Sequence, residues 1–164
     1  MIRQADIQDI PAIRAMADVV FRDTYKEILS PEQMEYMMEM MYSEESLRRQ
    51  LEEGVFFMDE GRGYASARPD GAADDGTPRY HLEKLYVMPE ARKTGLGREL
   101  FDTICGWVTS REPRALLELN VNRSNPALGF YERLGMARAR SGDFPIGNGF
   151  YMNDYIMALE LTRP

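Results

Sequence analysis

Six consecutive residues, Arg92-Lys93-Thr94-Gly95-Leu96-Gly97, set two cations and two glycines between an alternating apolar segment and a helical one. A strand closed by Pro89 and a helix opened near Gly95 leave the first backbone N–H groups of that helix without intrahelical partners. The helix dipole is positive at this end, and glycine lets an anion approach the main chain. Arg98 adds a further positive charge. The chemistry such a turn supports is the holding of a phosphate or pyrophosphate.

Spacing excludes two common phosphate loops. A Walker loop requires Gly-x-x-x-x-Gly-Lys-Ser/Thr, and a dinucleotide loop requires Gly-x-Gly-x-x-Gly. After Gly95 and Gly97 the third glycine position holds Leu100. Neither nucleoside triphosphate hydrolysis nor NAD binding fits.

A second segment runs from Leu119 to Met136, LNVNRSNPALGFYERLGM. It reads as the end of a strand, a loop with Asn125, and a helix through Phe130 and Tyr131 that Gly135 stops. The two segments together resemble the GNAT (GCN5-related) N-acetyltransferases. Arg92, Gly95 and Gly97 match the family's Gln/Arg-x-x-Gly-x-Gly/Ala signature, and the second segment matches its following strand, Asn-bearing loop and helix ending in Phe-Tyr-x-x-x-Gly. The resemblance extends from residue 1 to the tail.

That resemblance implies an α/β fold, in which a central mixed, mostly antiparallel sheet with splayed middle strands is flanked by helices in one domain over residues 1–164. It implies acetyl-CoA as cosubstrate and no metal. Residues Arg92, Lys93, Thr94, Gly95, Leu96, Gly97 and Arg98 would hold the pyrophosphate, the backbone of Leu85 and Val87 would pair with the pantetheine arm, and Asn125 and Asn120 would contact the same arm. Direct attack of an amine on the thioester, through a tetrahedral intermediate, is the reaction expected, with Tyr131 donating a proton to the leaving sulfur. Glu83 is the candidate base, because an uninterrupted strand puts it on the same face as Leu85, two residues on. His81 shares that spacing. An amine with a pKa of about 10 must lose a proton before it attacks, so a base is required. The alternative for Glu83 is an ion pair with a surface cation, and for Tyr131 a packing role. Cys105, beside Phe101 and Ile104, reads as packing.

The resemblance also implies an acceptor pocket built from the first helices and the late hairpin near Phe144 to Tyr151, which makes Phe21, Tyr25 and Met38 the acceptor-pocket candidates. The last of these belongs to a segment with five methionines, Met34, Met37, Met38, Met40 and Met41, whose adaptable side chains suit either a core or a binding face. Phe21-Arg22-Asp23-Thr24-Tyr25 followed by Ser30-Pro31-Glu32 resembles the branch that includes polyamine acetyltransferases. The expected acceptor is therefore a small primary amine, polyamines first. A peptide or protein N-terminus, and a CoA-binding sensor without turnover, are the alternatives.

These residues need elements to position them. The patterning predicts a strand at 2–4 and a helix capped by Asp6 that runs to about Tyr25. It predicts a helix from Ser30-Pro31 and a short helix over 47–53 stopped by Gly54. A hairpin follows at 55–58 and 64–68, then a surface loop at 69–78 and a strand at 79–88. A helix from Gly95 carries Leu96, Leu100, Ile104 and Val108 on one stripe, and 115–121 is a strand apolar on both faces, hence central. The last helix starts at Asn125-Pro126, and two final strands, 136–140 and 150–161, are separated by turns at Gly142-Asp143 and Gly147-Asn148-Gly149.

Of 164 residues, 44% are hydrophobic, as for one globular unit, and the formal charge is −7. That charge opposes binding to phosphate backbones, so nucleic acid is not an expected partner. One cysteine and one histidine cannot build a Cys/His metal cluster. No apolar run reaches the roughly 18 residues of a membrane span and the first residues lack a leader's apolar core, so a cytoplasmic protein without a membrane partner is expected. A homodimer is the assembly expected from the commonness of two-fold symmetry.

Overall fold

The computed structural model describes residues 1–164. The chain opens with β1 (Arg3–Gln4), after which Asp6 and Asp9 form a reciprocal capping box around a single 3-10 turn. Helix α1 (Ile10–Tyr25) follows, burying Ile10, Ile13, Ala17, Val20 and Phe21 along one stripe. Ser30 accepts from the Gln33 N–H at 3.1 Å and starts α2 (Pro31–Tyr42), whose first residue needs no N–H partner. Ser43 accepts from the Ser46 N–H at 3.2 Å and starts α3 (Glu44–Glu53). The rest alternates: β2 (Val55–Asp59), β3 (Gly63–Ala72), β4 (Pro78–Val87), α4 (Leu96–Arg111), β5 (Arg114–Asn122), α5 (Leu128–Arg133), β6 (Ala137–Gly147) and β7 (Phe150–Thr162).

The strands form one sheet in the order β1-β2-β3-β4-β5-β7-β6. Only β4 and β5 run parallel; every other pairing is antiparallel. One apolar layer lies between the sheet and α4, with Leu100, Ile104 and Val108 fully buried against Leu117 and Leu119. Each such side chain contributes roughly 1.5–3 kcal/mol through burial. The other layer lies under α1 to α3 and centres on Phe21, Tyr42, Phe56 and Tyr64.

Strands β4 and β5 pair only where Arg79–His81 meets Leu116–Glu118. Beyond that point they separate, and the opening between them is the dominant feature of the sheet. A second irregularity sits in the same place. Ser66 pairs with Lys84 and Ala67 with Leu82, which leaves Glu83 as an extra residue, a β-bulge. Tyr80 and Leu82 pack on the α4 layer, whereas after the bulge Lys84 faces Tyr42 and Phe56 and Tyr86 joins the α1–α3 layer.

Three boundaries differ from the patterning. Segment 69–78 is loop only at 73–77, because the hairpin ladder continues through Pro69–Tyr80 and Ala72–Pro78, and main-chain pairing needs no hydrophobic period. Gly142 and Asp143 pair with Asp154 and Asn153 inside β6, so the only reversal is the Asn148-Gly149 turn, with φ of 56° and 79°. Helix α5 begins at Leu128 because Asn125 Oδ1 accepts from the Ala127 N–H at 2.8 Å, closing a local turn first.

Candidate active site

The opening between β4 and β5 is the wall of a cavity of about 1130 Å³. At one end stands the phosphate loop. Gly95 has φ of +89°, a conformation glycine adopts without strain, and the α4 ladder begins only with Glu99 N–H donating to Gly95 at 3.0 Å. The preceding amides of Leu96, Gly97 and Arg98 therefore face the loop. A Cβ on Gly97 would stand 3.2 Å from the Phe130 ring, so glycine lets α4 and α5 close on each other beside the cavity.

The loop side chains divide into two groups. Lys93 and Arg98 line the cavity, joined by Arg133 of α5, a cation that the sequence motif does not single out. Arg92 also lines it, but its guanidinium donates to Asp23 at 3.1 Å and clips the loop to α1. That pairing holds the Asp23 carboxyl below its ordinary pKa. Thr94 donates from Oγ1 to the Ala91 carbonyl at 2.5 Å, and the Leu96 side chain is buried in the α4 layer. These two side chains shape the turn and leave its amides to meet an anion.

Tyr131, 7% exposed, lies on the wall of the same cavity. Burial and the neighbouring Tyr25 raise its pKa above that of an ordinary tyrosine, so the proton stays on the oxygen at any working pH. Leu85, Val87, Asn120 and Asn125 line the same space. Asn125 donates to the Tyr25 hydroxyl at 3.3 Å, and Tyr25 in turn lies 3.4 Å from the Tyr86 hydroxyl. Asn120 donates from Nδ2 to Asp154 of β7 at 3.2 Å. The β6–β7 hairpin is held to α2 by Tyr36, donating to the Ile146 carbonyl at 2.6 Å, and by Gln33, donating to the Tyr151 carbonyl at 2.7 Å.

A cradle of helix-start amides and cations leads along a strand edge to a protonated tyrosine. The acetyltransferase (GNAT) family model matches residues 20–136, the span that holds the loop, the opening and Tyr131. The chain belongs to the GNAT family. It is accordingly an acyl-CoA-dependent acetyltransferase. Solved GNAT-fold structures agree in architecture. The PaiA N-acetyltransferase of Thermoplasma acidophilum, solved with coenzyme A, is 21% identical over 99% of this chain and 98% of its own, with a TM-score of 0.77. The ribosomal-protein-S18-alanine N-acetyltransferase of Escherichia coli is 23% identical over 100% and 95%, with a TM-score of 0.68. Salmonella typhimurium yncA, solved with its cofactor acetyl-CoA, is 19% identical over 100% and 95%, with a TM-score of 0.65.

Within this GNAT site the acceptor-side candidates fall in different places. Tyr25 lines the cavity. Phe21 is 1% exposed and packs against Tyr25, with ring centroids 4.6 Å apart, so it supports the wall from the core. Met38 lines a separate depression among α1, α2 and α3. Glu83 lines the cavity, yet the bulge overturns the face argument made for it: its carboxylate meets Arg68 at 3.0 Å on the α1–α3 side, while Leu85 packs on the α4 side. His81 approaches Asp70 at 3.9 Å, and burial lowers its pKa. The Cys105 thiol is pushed up to about 12, chiefly by burial, as suits a packing residue.

Two buried charges near this site were not among the sequence candidates. Lys84 is 3% exposed, donates to Gln50 at 2.5 Å and stands 5.1 Å from the Tyr42 ring centre. Desolvation lowers its pKa to about 8. Asp154 is 2% exposed, and burial raises its pKa. Each falls in a segment whose apolar alternation is unremarkable, and only the β4 bulge and the β5–β7 register bring them to the site.

Proposed function

We propose that this enzyme transfers the acetyl group of acetyl-CoA to a primary amine, with small amines and polyamines as acceptors. The observation that carries the reading is the continuous cavity from the helix-start loop at Gly95 to Tyr131, along the unpaired edge of β4. Acetyl-CoA supplies an activated acyl thioester. The amides at Leu96, Gly97 and Arg98, with Lys93, Arg98 and Arg133, suit its phosphates, and the free main chain of Leu85 and Val87 suits its amide arm. Tyr131 holds the proton for the departing sulfur. Glu83 is the proposed acceptor of the amine proton, with Arg68 fixing its carboxylate. Of the cavity carboxylates, Asp23 and Glu83 are ion-paired with Arg92 and Arg68, and Glu27, which forms no ion pair, is the one that supports a cationic acceptor.

The test is release of free thiol from acetyl-CoA by the purified protein with spermidine, short diamines and a peptide bearing a free N-terminus. Thiol release above hydrolysis with spermidine or diamines is expected. Faster release with the peptide would replace the acceptor, and binding of acetyl-CoA without release by any amine would overturn the transfer reaction.

A further inference from the structure

Asp154 is a buried carboxylate that the chemistry above leaves unused. It stands opposite Asn122 in the β5–β7 ladder, so Asn120, Asn122 and Asp154 share the sheet face that carries α1 to α3. This is the face from which Glu83 meets Arg68. Asn120 approaches Asp154 Oδ2 at 3.2 Å. A carboxylate only accepts hydrogen bonds, so the end of the amide toward it must be the NH₂. The Asn120 Oδ1 is then free for the cavity that this residue lines.

The nearby Arg123 attracts the Asp154 carboxylate but forms no ion pair with it. Arg123 donates to the carbonyls of Gly142 and Asp154 and to the carboxylate of Asp143. The Asp154 carboxylate is left with a neutral amide hydrogen bond at 2% exposure, an arrangement that is costly unless a proton or a positive group arrives. An ammonium is both a donor for Asn120 Oδ1 and a countercharge for the carboxylate behind it.

We infer that Asp154 is a positioning residue for the acceptor: it fixes Asn120 with Oδ1 toward the cavity and holds negative charge behind it, so that the pair receives the ammonium group of the incoming amine. The inference rests on the amine-transfer reading and names the part of the site that selects the amine. Asn120 then serves the acceptor, in place of the cofactor arm that the family resemblance suggests for it.

Steady-state kinetics with spermidine, alongside calorimetric titration with coenzyme A, tests it. Asp154→Asn keeps the hydrogen bond and removes the charge; the spermidine KM should rise about tenfold or more, kcat should fall less, and coenzyme A affinity should hold. The exchanged pair Asn120→Asp with Asp154→Asn keeps both groups and reverses the hydrogen bond, and should recover most of the lost KM. If Asp154→Asn does not fold, Asn120→Ala reads the same KM. An unchanged KM, an equal loss of coenzyme A affinity, or no recovery in the exchanged pair overturns the inference while the wild-type turnover stands. A wild-type protein that releases no thiol with any amine overturns the transfer reading, and this inference with it.

Discussion

Asn125 donates from Nδ2 to the Tyr25 hydroxyl across 3.3 Å, joining the loop before α5 to the end of α1, 100 residues away in sequence. Both residues line the cavity, so the bond ties together two parts of its wall. Replacing Tyr25 by Phe leaves the Asn125 amide short of a partner. A stability loss of about 1 kcal/mol is expected. Thermal unfolding reads that loss, and a raised amine KM with unchanged coenzyme A affinity reads the displaced wall.

Tyr131→Phe removes the buried hydroxyl and little else. Turnover should fall by roughly 10²–10⁴-fold, the range of general acid catalysis, with coenzyme A affinity nearly intact. Because burial holds this proton well above the working range, the wild-type profile should show no basic limb from Tyr131 below about pH 10. An unchanged kcat would remove it as the acid.

Lys84 gives a pH signature in stability. Its folded pKa of about 8 lies below the ordinary 10.5, so between those values the unfolded chain holds the proton and the folded one releases it. Stability therefore gains from this group as pH rises from about 8 toward 10.5, and the burden of burying the charge is complete below about 8, roughly 3 kcal/mol at most. Lys84→Met should raise the unfolding temperature relative to wild type most at pH 7, with the difference shrinking by pH 9.5. The lost bond to Gln50 shifts both values alike. A difference that does not change with pH would assign Lys84 an ordinary pKa.

Arg133 and Gly95 act on the same loop by different means. Arg133→Gln should weaken coenzyme A binding about tenfold at low salt and less at high salt, because screening already removes part of the charge contribution. Gly95→Ala meets no neighbour within 4 Å, but its φ of +89° is strained for any residue with a Cβ. About 1 kcal/mol of stability should be lost together with coenzyme A affinity. Titration at two salt concentrations separates the two variants, since only the arginine effect should shrink.

The sequence made the loop at Gly95 and the Tyr131 helix legible because each depends on local rules: glycine at positive φ, a helix start, a glycine stop. The stripe of Leu96, Leu100, Ile104 and Val108 was legible for the same reason, and it does face the core. What could not be read was anything requiring register. A period-two count runs straight through Glu83 and assigns it the face of Leu85, because an inserted residue leaves no compositional mark. Phe21 and Met38 are candidates because the family resemblance points to the first helices, and only helix packing shows one to be core and the other to line a different depression. The Asn120–Asp154 contact joins two strands that are neighbours only because β7 enters the sheet between β5 and β6, and no local pattern announces it.

The bulge at Glu83 also divides β4 into two halves with opposite grammars. Before it, even-numbered positions answer to α4; after it, odd-numbered ones do. Pairing Glu83 as a regular ladder residue would exchange the environments of Lys84, Leu85, Tyr86 and Val87 in a single step, sending a lysine into the α4 layer, whereas removing it would leave their partners and faces as they are. By absorbing one residue without pairing it, the bulge keeps Lys84 and Tyr86 facing α1 to α3 while Leu82 and Leu85 both face α4.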